Sequence, residues 1–227
     1  MLTRSEVRAY LKRIGIEDIE PPSLSYLTRL HRAHVSTISW QTIDIVAGRP
    51  APIDLDSSVR LMLGNRSGYC FHLNGAFSAL LRSLGFRVYW HRAGVQPLGQ
   101  NPRIDSFHLG LTVSLTDEEQ REQRYIVDVG LGNMPYEPLP LRSGSYEQGA
   151  YRYRVEASGV AQGGWRIVHD PPASFVGVDV APDVLDDLEE FKPKHEFFSR
   201  SPESPWIKLS LVQQLHAEGS NELRGCI

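Results

Sequence analysis

The sequence predicts an α+β protein, on two observations. Residues up to 85 carry apolar side chains at helical spacing. Beyond Gly85 the chain turns to short β-branched and aromatic runs broken by Gly, Pro and charged turns. A helical third followed by antiparallel strands is an α+β pattern, unlike the strict alternation of a parallel α/β sheet.

The elements follow in order. Thr3 and Glu6 have the spacing of a capping box, which predicts a short helix at the N-terminus. "PPSLSYLTRLHRAHVS" places Leu24, Leu27, Leu30 and His34 on one helical stripe. Asp56 is the expected cap of a short helix through Val59, Leu61 and Met62. From Cys70, the residues Leu73, Phe77, Leu80, Leu81 and Leu84 recur at helical spacing, and Gly85 supplies the stop. The strand segments "FRVYWHRAGV", "FHLGLTVSL" and "RYIVDVGLG" come next, the last two joined by the polar loop "TDEEQREQ". "AYRYRVEAS" and "GGWRIVHD" read as a further antiparallel pair, and "DVLDDLEEF" as a helix over 183–191. The tail "SPWIKLSLVQQLHAEGSNELRGCI" opens another strand. No internal repeat is present.

Composition narrows the function classes. The 227 residues are 41% hydrophobic and 22% charged, ordinary values for a globular chain. A net charge of −3 leaves no basic footprint for nucleic acid. No apolar run is long enough for a bilayer, and "MLTRSEVRAYLKRIGIEDIE" lacks the features of a signal peptide, so no membrane role is expected. Only Cys70 and Cys226 occur, which excludes a disulfide scaffold and fits a reducing cytoplasm. Cys226, next to the chain end, is read as incidental. Cys70-Phe71-His72 with His31 and His34 is too thin a ligand set for zinc, so no metal is expected.

Cys70 is the residue with the most chemistry to offer. A free cysteine is usually a buried packing residue. Here the helical pattern begins at the cysteine itself, so the unsatisfied N–H groups and dipole of a helix N-terminus would favour thiolate and bind an oxyanion. A nucleophile wants a base and an orienting group. His108 opens the strand "HLGLTV", and Asp128 interrupts the apolar strand "YIVDVG", where an unpaired carboxylate is costly to bury. A hairpin between these strands brings His108 and Asp128 together at its open end.

With these segments the chain resembles the arylamine N-acetyltransferases. "RSGYC" at 66–70 is similar to the family's Arg-Gly-Gly-aromatic-Cys, "HLGLTV" to its histidine strand, and "DVGLG" at 128–132 to its Asp-Val-Gly-Phe-Gly. "LHRAHVSTISWQTIDI" echoes its Leu-His and Pro-Phe-Glu-Asn-Leu pattern, and "HEFFSRSPESPW" a late segment. The resemblance implies a helical domain over 1–85, an antiparallel β-barrel domain over 86–180 and a shortened α/β lid over 181–227. It implies a cysteine-protease-like triad of Cys70, His108 and Asp128 and a ping-pong reaction. Cys70 takes an acyl group from a CoA thioester, acetyl-CoA being a co-substrate with no bound cofactor, and an arylamine or hydrazine nitrogen then accepts it. Trp40, Tyr69, Val95, Phe107 and Leu131 are the implied substrate contacts, and Gln41 the implied hydrogen-bond partner of Arg66.

The pattern departs at Ser67, where the family has Gly, and at His72, where it has an acid. It departs again at Gln41 and Thr42 in place of Glu and Asn, and at Leu131 in place of Phe. Two other readings stay open. One is an amide synthase of the same superfamily, taking a polyketide acyl chain from an acyl carrier protein and releasing it as a macrolactam. The other is a catalytically inactive binding module.

Overall fold

The computed structural model describes residues 1–105, 107–117, 119–149, 151–170 and 175–226. The elements in order are α1 (Arg4–Arg13), α2 (Leu24–Thr37), β1 (Trp40–Gln41), α3 (Ile43–Val46), α4 (Leu55–Leu63) and α5 (Cys70–Ser83). Then come β2 (Arg87–Pro97), β3 (His108–Thr116), β4 (Glu122–Val127), β5 (Leu139–Pro140), β6 (Gly144–Gln148), β7 (Tyr151–Ala157), β8 (Trp165–Asp170) and β9 (Phe175–Val180). Helix α6 (Lys192–Arg200) and the hairpin β10 (Leu209–His216)–β11 (Gly219–Cys226) follow. Short 3-10 turns lie at Glu189–Phe191 and Pro205–Ile207.

The helix starts are set by polar caps. Thr3 and Glu6 form the expected capping box on α1, and Ser23 accepts from the Tyr26 amide at the head of α2. Helix α4 corrects one expectation. Its cap is Asp54, which accepts from the Ser57 amide at 2.8 Å, while Asp56 lies inside the first turn. On α2, Leu27, Leu30 and His34 are buried as the stripe predicts, but Leu24 is exposed because it stands in the first turn, at the edge of the packed face.

Helix α5 is the centre of the molecule. Every residue from Cys70 to Leu81 is buried. It packs on α4, β2 and β3. Phe71, Leu73, Phe77, Leu80 and Leu81 are fully buried on it, each contributing roughly 1.5–3 kcal/mol of transfer free energy. This burial holds the first residue of the helix at a fixed point in the core.

Eight strands form one curled, nearly closed antiparallel sheet in the order β5-β4-β3-β2-β9-β8-β7-β6. Strand β3 is buried on both faces over His108–Ser114. Leu109, Leu111 and Val113 join the core shared with the helices, so the alternate set containing His108 points the other way. The second core lies inside the curl, among Val95, Ile126, Tyr153, Ile167 and Val178. The pairs β3–β4 and β7–β8 are those the sequence predicts.

A separate three-stranded sheet has the order β1-β10-β11. Thus the C-terminal hairpin docks on two residues from the helical region, with Trp40 opposite Gln213 and Gln41 opposite Val212. The expected helix over 183–191 is corrected. Leu185 bridges to Trp90, its amide bonding the Trp90 carbonyl at 2.9 Å, and only Glu189–Phe191 turns, as a 3-10 segment. The helix comes later, at α6, with a proline in its first turn. Among the described residues no helix is long and apolar enough to cross a membrane.

Candidate active site

The segment before Cys70 is held by backbone pairing. The Gln41 amide donates to the Gly68 carbonyl at 2.8 Å, and Trp40 bridges to Gly68. Position 68 must be glycine. A Cβ there would fall 2.5 Å from Nδ1 of His72, in the first turn of α5. His72 is buried, with Nε2 bonded to the Ala51 carbonyl at 3.1 Å.

Cys70 opens α5 as a free, buried thiol, its Sγ 3.9 Å from the carbonyl oxygen of Phe107. That carbonyl precedes His108, which pairs with Ala93 at the start of β3. The last β3–β4 pair is Leu111 with Val127, so Asp128 leaves the ladder beside the histidine. His108 Nε2–H donates to Asp128 Oδ2 at 2.6 Å, with both side chains buried. His108 Nδ1 has no hydrogen-bond partner among the described residues. With Nε2 committed to the carboxylate, Nδ1 is the ring nitrogen left for a thiol proton.

Electrostatics at Cys70 run against the simple helix-terminus expectation. Burial pushes the thiol well above its ordinary range, and the Asp128 carboxylate adds to this. The backbone N–H groups of Phe71 and Cys70 pull the other way and do not win. A lone thiolate is therefore disfavoured at this buried position. Passing the proton to His108 is different, because it makes an ion pair whose imidazolium lies against Asp128.

His31 closes the far side of Asp128. Its Nε2 accepts from the Asp128 amide at 3.3 Å, and its Nδ1–H donates to the Tyr136 carbonyl at 3.1 Å. Burial lowers its pKa to about 4, so it serves as a neutral acceptor.

Cys70 and His108 lie on the wall of a solvent-open cleft with a cavity volume of about 210 Å³. Trp40, Val95, Phe107 and Leu131 line it. Tyr69 does not, which corrects its placement. It is buried, and its hydroxyl pairs with Nδ1 of His195 on α6. The extended backbone at the helix cap turns that ring away from the cleft and toward α6. The expected Gln41–Arg66 bond is also corrected. Gln41 Nε2 donates to Asp44 Oδ2 and the Ser67 carbonyl, both at 3.1 Å, and Arg66 pairs with Asp44 Oδ1 at 2.9 Å. Asp44 thus supplies the negative charge that Gln41 lacks.

The sequence reading missed Phe175, Trp206, Gln213 and Arg224, which also line the cleft. Trp206 stacks on Phe198 with ring centroids 4.2 Å apart, and Phe198 meets Phe107 edge-on at 4.6 Å. An available signal was Ser204-Pro205 before Trp206. The Ser204 hydroxyl accepts from the Trp206 amide and fixes the turn that presents the indole. Among the described residues no His, Cys, Asp and Glu cluster could hold a metal ion.

Comparison with known proteins places the family and the fold. The sequence model of a family described as N-acetyltransferase matches residues 23–226. An arylamine N-acetyltransferase / N-hydroxyarylamine O-acetyltransferase of Salmonella typhimurium is 33% identical over 68% of this chain and 55% of its own length. The arylamine N-acetyltransferase of Mycolicibacterium smegmatis is 31% identical over 68% of this chain and 57% of its own. The chain therefore spans about half the length of the curated relatives it matches. The crystal structure of the Nocardia farcinica arylamine N-acetyltransferase superposes with a TM-score of 0.83 at 27% identity, over 96% of this chain and 78% of that one. On the family match and these relatives, this chain belongs to the arylamine N-acetyltransferase family.

Proposed function

We propose that the protein is an acyltransferase that moves an acetyl group from acetyl-CoA to an arylamine or hydrazine nitrogen through an acyl-Cys70 intermediate. One observation carries the reading: a buried thiol at a helix N-terminus beside a His108–Asp128 pair, at the wall of an apolar cleft. The Cys70 thiol gives its proton to His108 as sulfur attacks the thioester carbonyl. The tetrahedral oxyanion meets N–H groups at the head of α5. The C–S bond to coenzyme A breaks, and the leaving thiolate takes the proton from His108. The amine nitrogen then attacks the acyl-Cys carbonyl, His108 accepts the amine proton, and Cys70 leaves and is reprotonated. Asp128 holds the ring so that one nitrogen faces the exchange.

The aromatic walls of Trp40, Phe107 and Trp206 suit a flat acceptor. The named relatives are arylamine N-acetyltransferases, which supports an acetyl group over a polyketide acyl chain as the transferred group. The test is intact-mass spectrometry after mixing with acetyl-CoA. Wild type should gain one acetyl group that an added arylamine discharges. Cys70→Ala should gain none while keeping its circular dichroism spectrum. Turnover persisting in that variant would remove the reading.

A further inference from the structure

One polar side chain on α5 has no part in the scheme above. Asn74 is completely buried and stands four residues after Cys70, on the same face of the helix. Its Nδ2 donates to the carbonyl of Leu109 at 2.8 Å and to Asp128 Oδ1 at 2.9 Å. Its Oδ1 accepts from the Val129 amide at 2.9 Å. Only one orientation of the amide fits. Turned over, it would set its oxygen against a carbonyl and a carboxylate, and its NH2 against an N–H.

Each contact falls on the His108–Asp128 pair or the residue next to it. Leu109 follows His108, and Val129 follows Asp128. The Gly130 amide gives Asp128 Oδ1 a second donor at 2.9 Å. With Oδ1 held by these two donors, Oδ2 is the oxygen presented to His108. The loop at Gly130 comes so close that a Cβ would lie 2.9 Å from both Asn74 Nδ2 and the Cys70 Cα. A mere core amide would need partners, but not these three.

We propose that Asn74 is a positioning residue that fixes His108 and the Asp128 carboxylate relative to Cys70, setting the geometry in which the thiol proton passes to the imidazole. This rests on the reading of Cys70 as the nucleophile. The helix that carries the thiol also carries, one turn on, the amide that orients the base and its carboxylate. Without it Asp128 Oδ1 keeps only the Gly130 amide, the carboxylate is held less firmly toward His108, and the ion pair with Cys70 weakens. Among the described residues, other titratable or charged groups near this set are His31 on α2, bonded to the Asp128 amide, Tyr69, whose buried phenol interacts with Cys70, and Arg224 on β11, on the cleft wall.

The experiment is the pH profile of iodoacetamide alkylation at Cys70, read by peptide mass so that Cys226 is scored separately. In Asn74→Ala the midpoint should rise by about one pH unit or more, with the rate at mildly acid pH falling about tenfold. An unchanged midpoint in folded Asn74→Ala, with only a lower melting temperature, would show a structural role and overturn the proposal. A wild-type profile matching a free thiol would overturn the nucleophile reading, and the positioning role with it. If Asn74→Ala does not fold, 15N-labelled wild type decides. The Asn74 side-chain amide signals should shift with the midpoint of Cys70 alkylation, and signals that stay fixed through it would overturn the proposal.

Discussion

Tyr69 stands one residue before the thiol, yet its hydroxyl spends its hydrogen bond on His195, 126 residues away in sequence. The ring also meets Trp206 edge-on at 5.2 Å, so it ties α6 and the following turn to the head of α5. Removing the hydroxyl leaves a buried imidazole nitrogen without its partner, at a cost of roughly 1–3 kcal/mol. Tyr69→Phe should therefore lower the urea midpoint while leaving the KM for an arylamine unchanged, because the ring does not line the cleft. A raised KM at unchanged stability would return Tyr69 to the substrate contacts. The meeting of Cys70, His108 and Asp128 was legible in the sequence because each sits at the start of an apolar pattern or interrupts one. Asn74 left a weaker mark, one polar residue between Leu73 and Phe77 in an apolar helix. Tyr69 and Gln41 were not legible, since their partners come from elements whose packing no local pattern records.

At the scale of elements, α4 shows what capping controls. Asp54 has the extended backbone of a cap and accepts from Ser57, whereas Asp56 only adds charge to the first turn. Asp54→Ala should cost about 1 kcal/mol in chemical denaturation, and Asp56→Ala only a few tenths of that range. Equal losses would contradict the assigned cap. Two acids spaced by one residue give the same sequence signal, and the start of the helix decides between them. The long strands and α5 were legible from periodicity. Strand β1 was not, because two residues carry no period, although they seat the C-terminal hairpin and brace Gly68. The segment at 183–191 misled for a related reason. Its apolar residues have helical spacing, but the open edge of Trp90 offers Leu185 a backbone partner that a helix would forgo.

For the whole molecule, the order of helices, antiparallel strands and a mixed tail was legible from composition along the chain. The convergence of distant segments was not: α2 brings His31 to Asp128 across 97 positions. Many histidines end buried through such convergence, with a measurable consequence. His31, His72 and His91 are held neutral by burial, each with its pKa lowered from 6.5 to about 4. His34 and His195 are lowered by burial as well. A histidine whose folded pKa lies below its unfolded value leaves the unfolded chain holding more protons between the two. Stability then rises with pH across that window and falls as pH drops through it. Each such histidine removes about 1.4 kcal/mol per pH unit in that interval. Urea midpoints should be nearly constant above neutrality and should fall steeply as pH goes from 6.5 toward 4. His72→Gln, which cannot be charged, should flatten the slope by one group's share, whatever its effect on stability at neutral pH. A urea midpoint that holds level down to pH 4 would mean that these rings are hydrated in the folded protein. If the slope is found, loss of transfer activity in mild acid is to be assigned first to unfolding, and only the folded fraction's profile reports on Cys70 and His108.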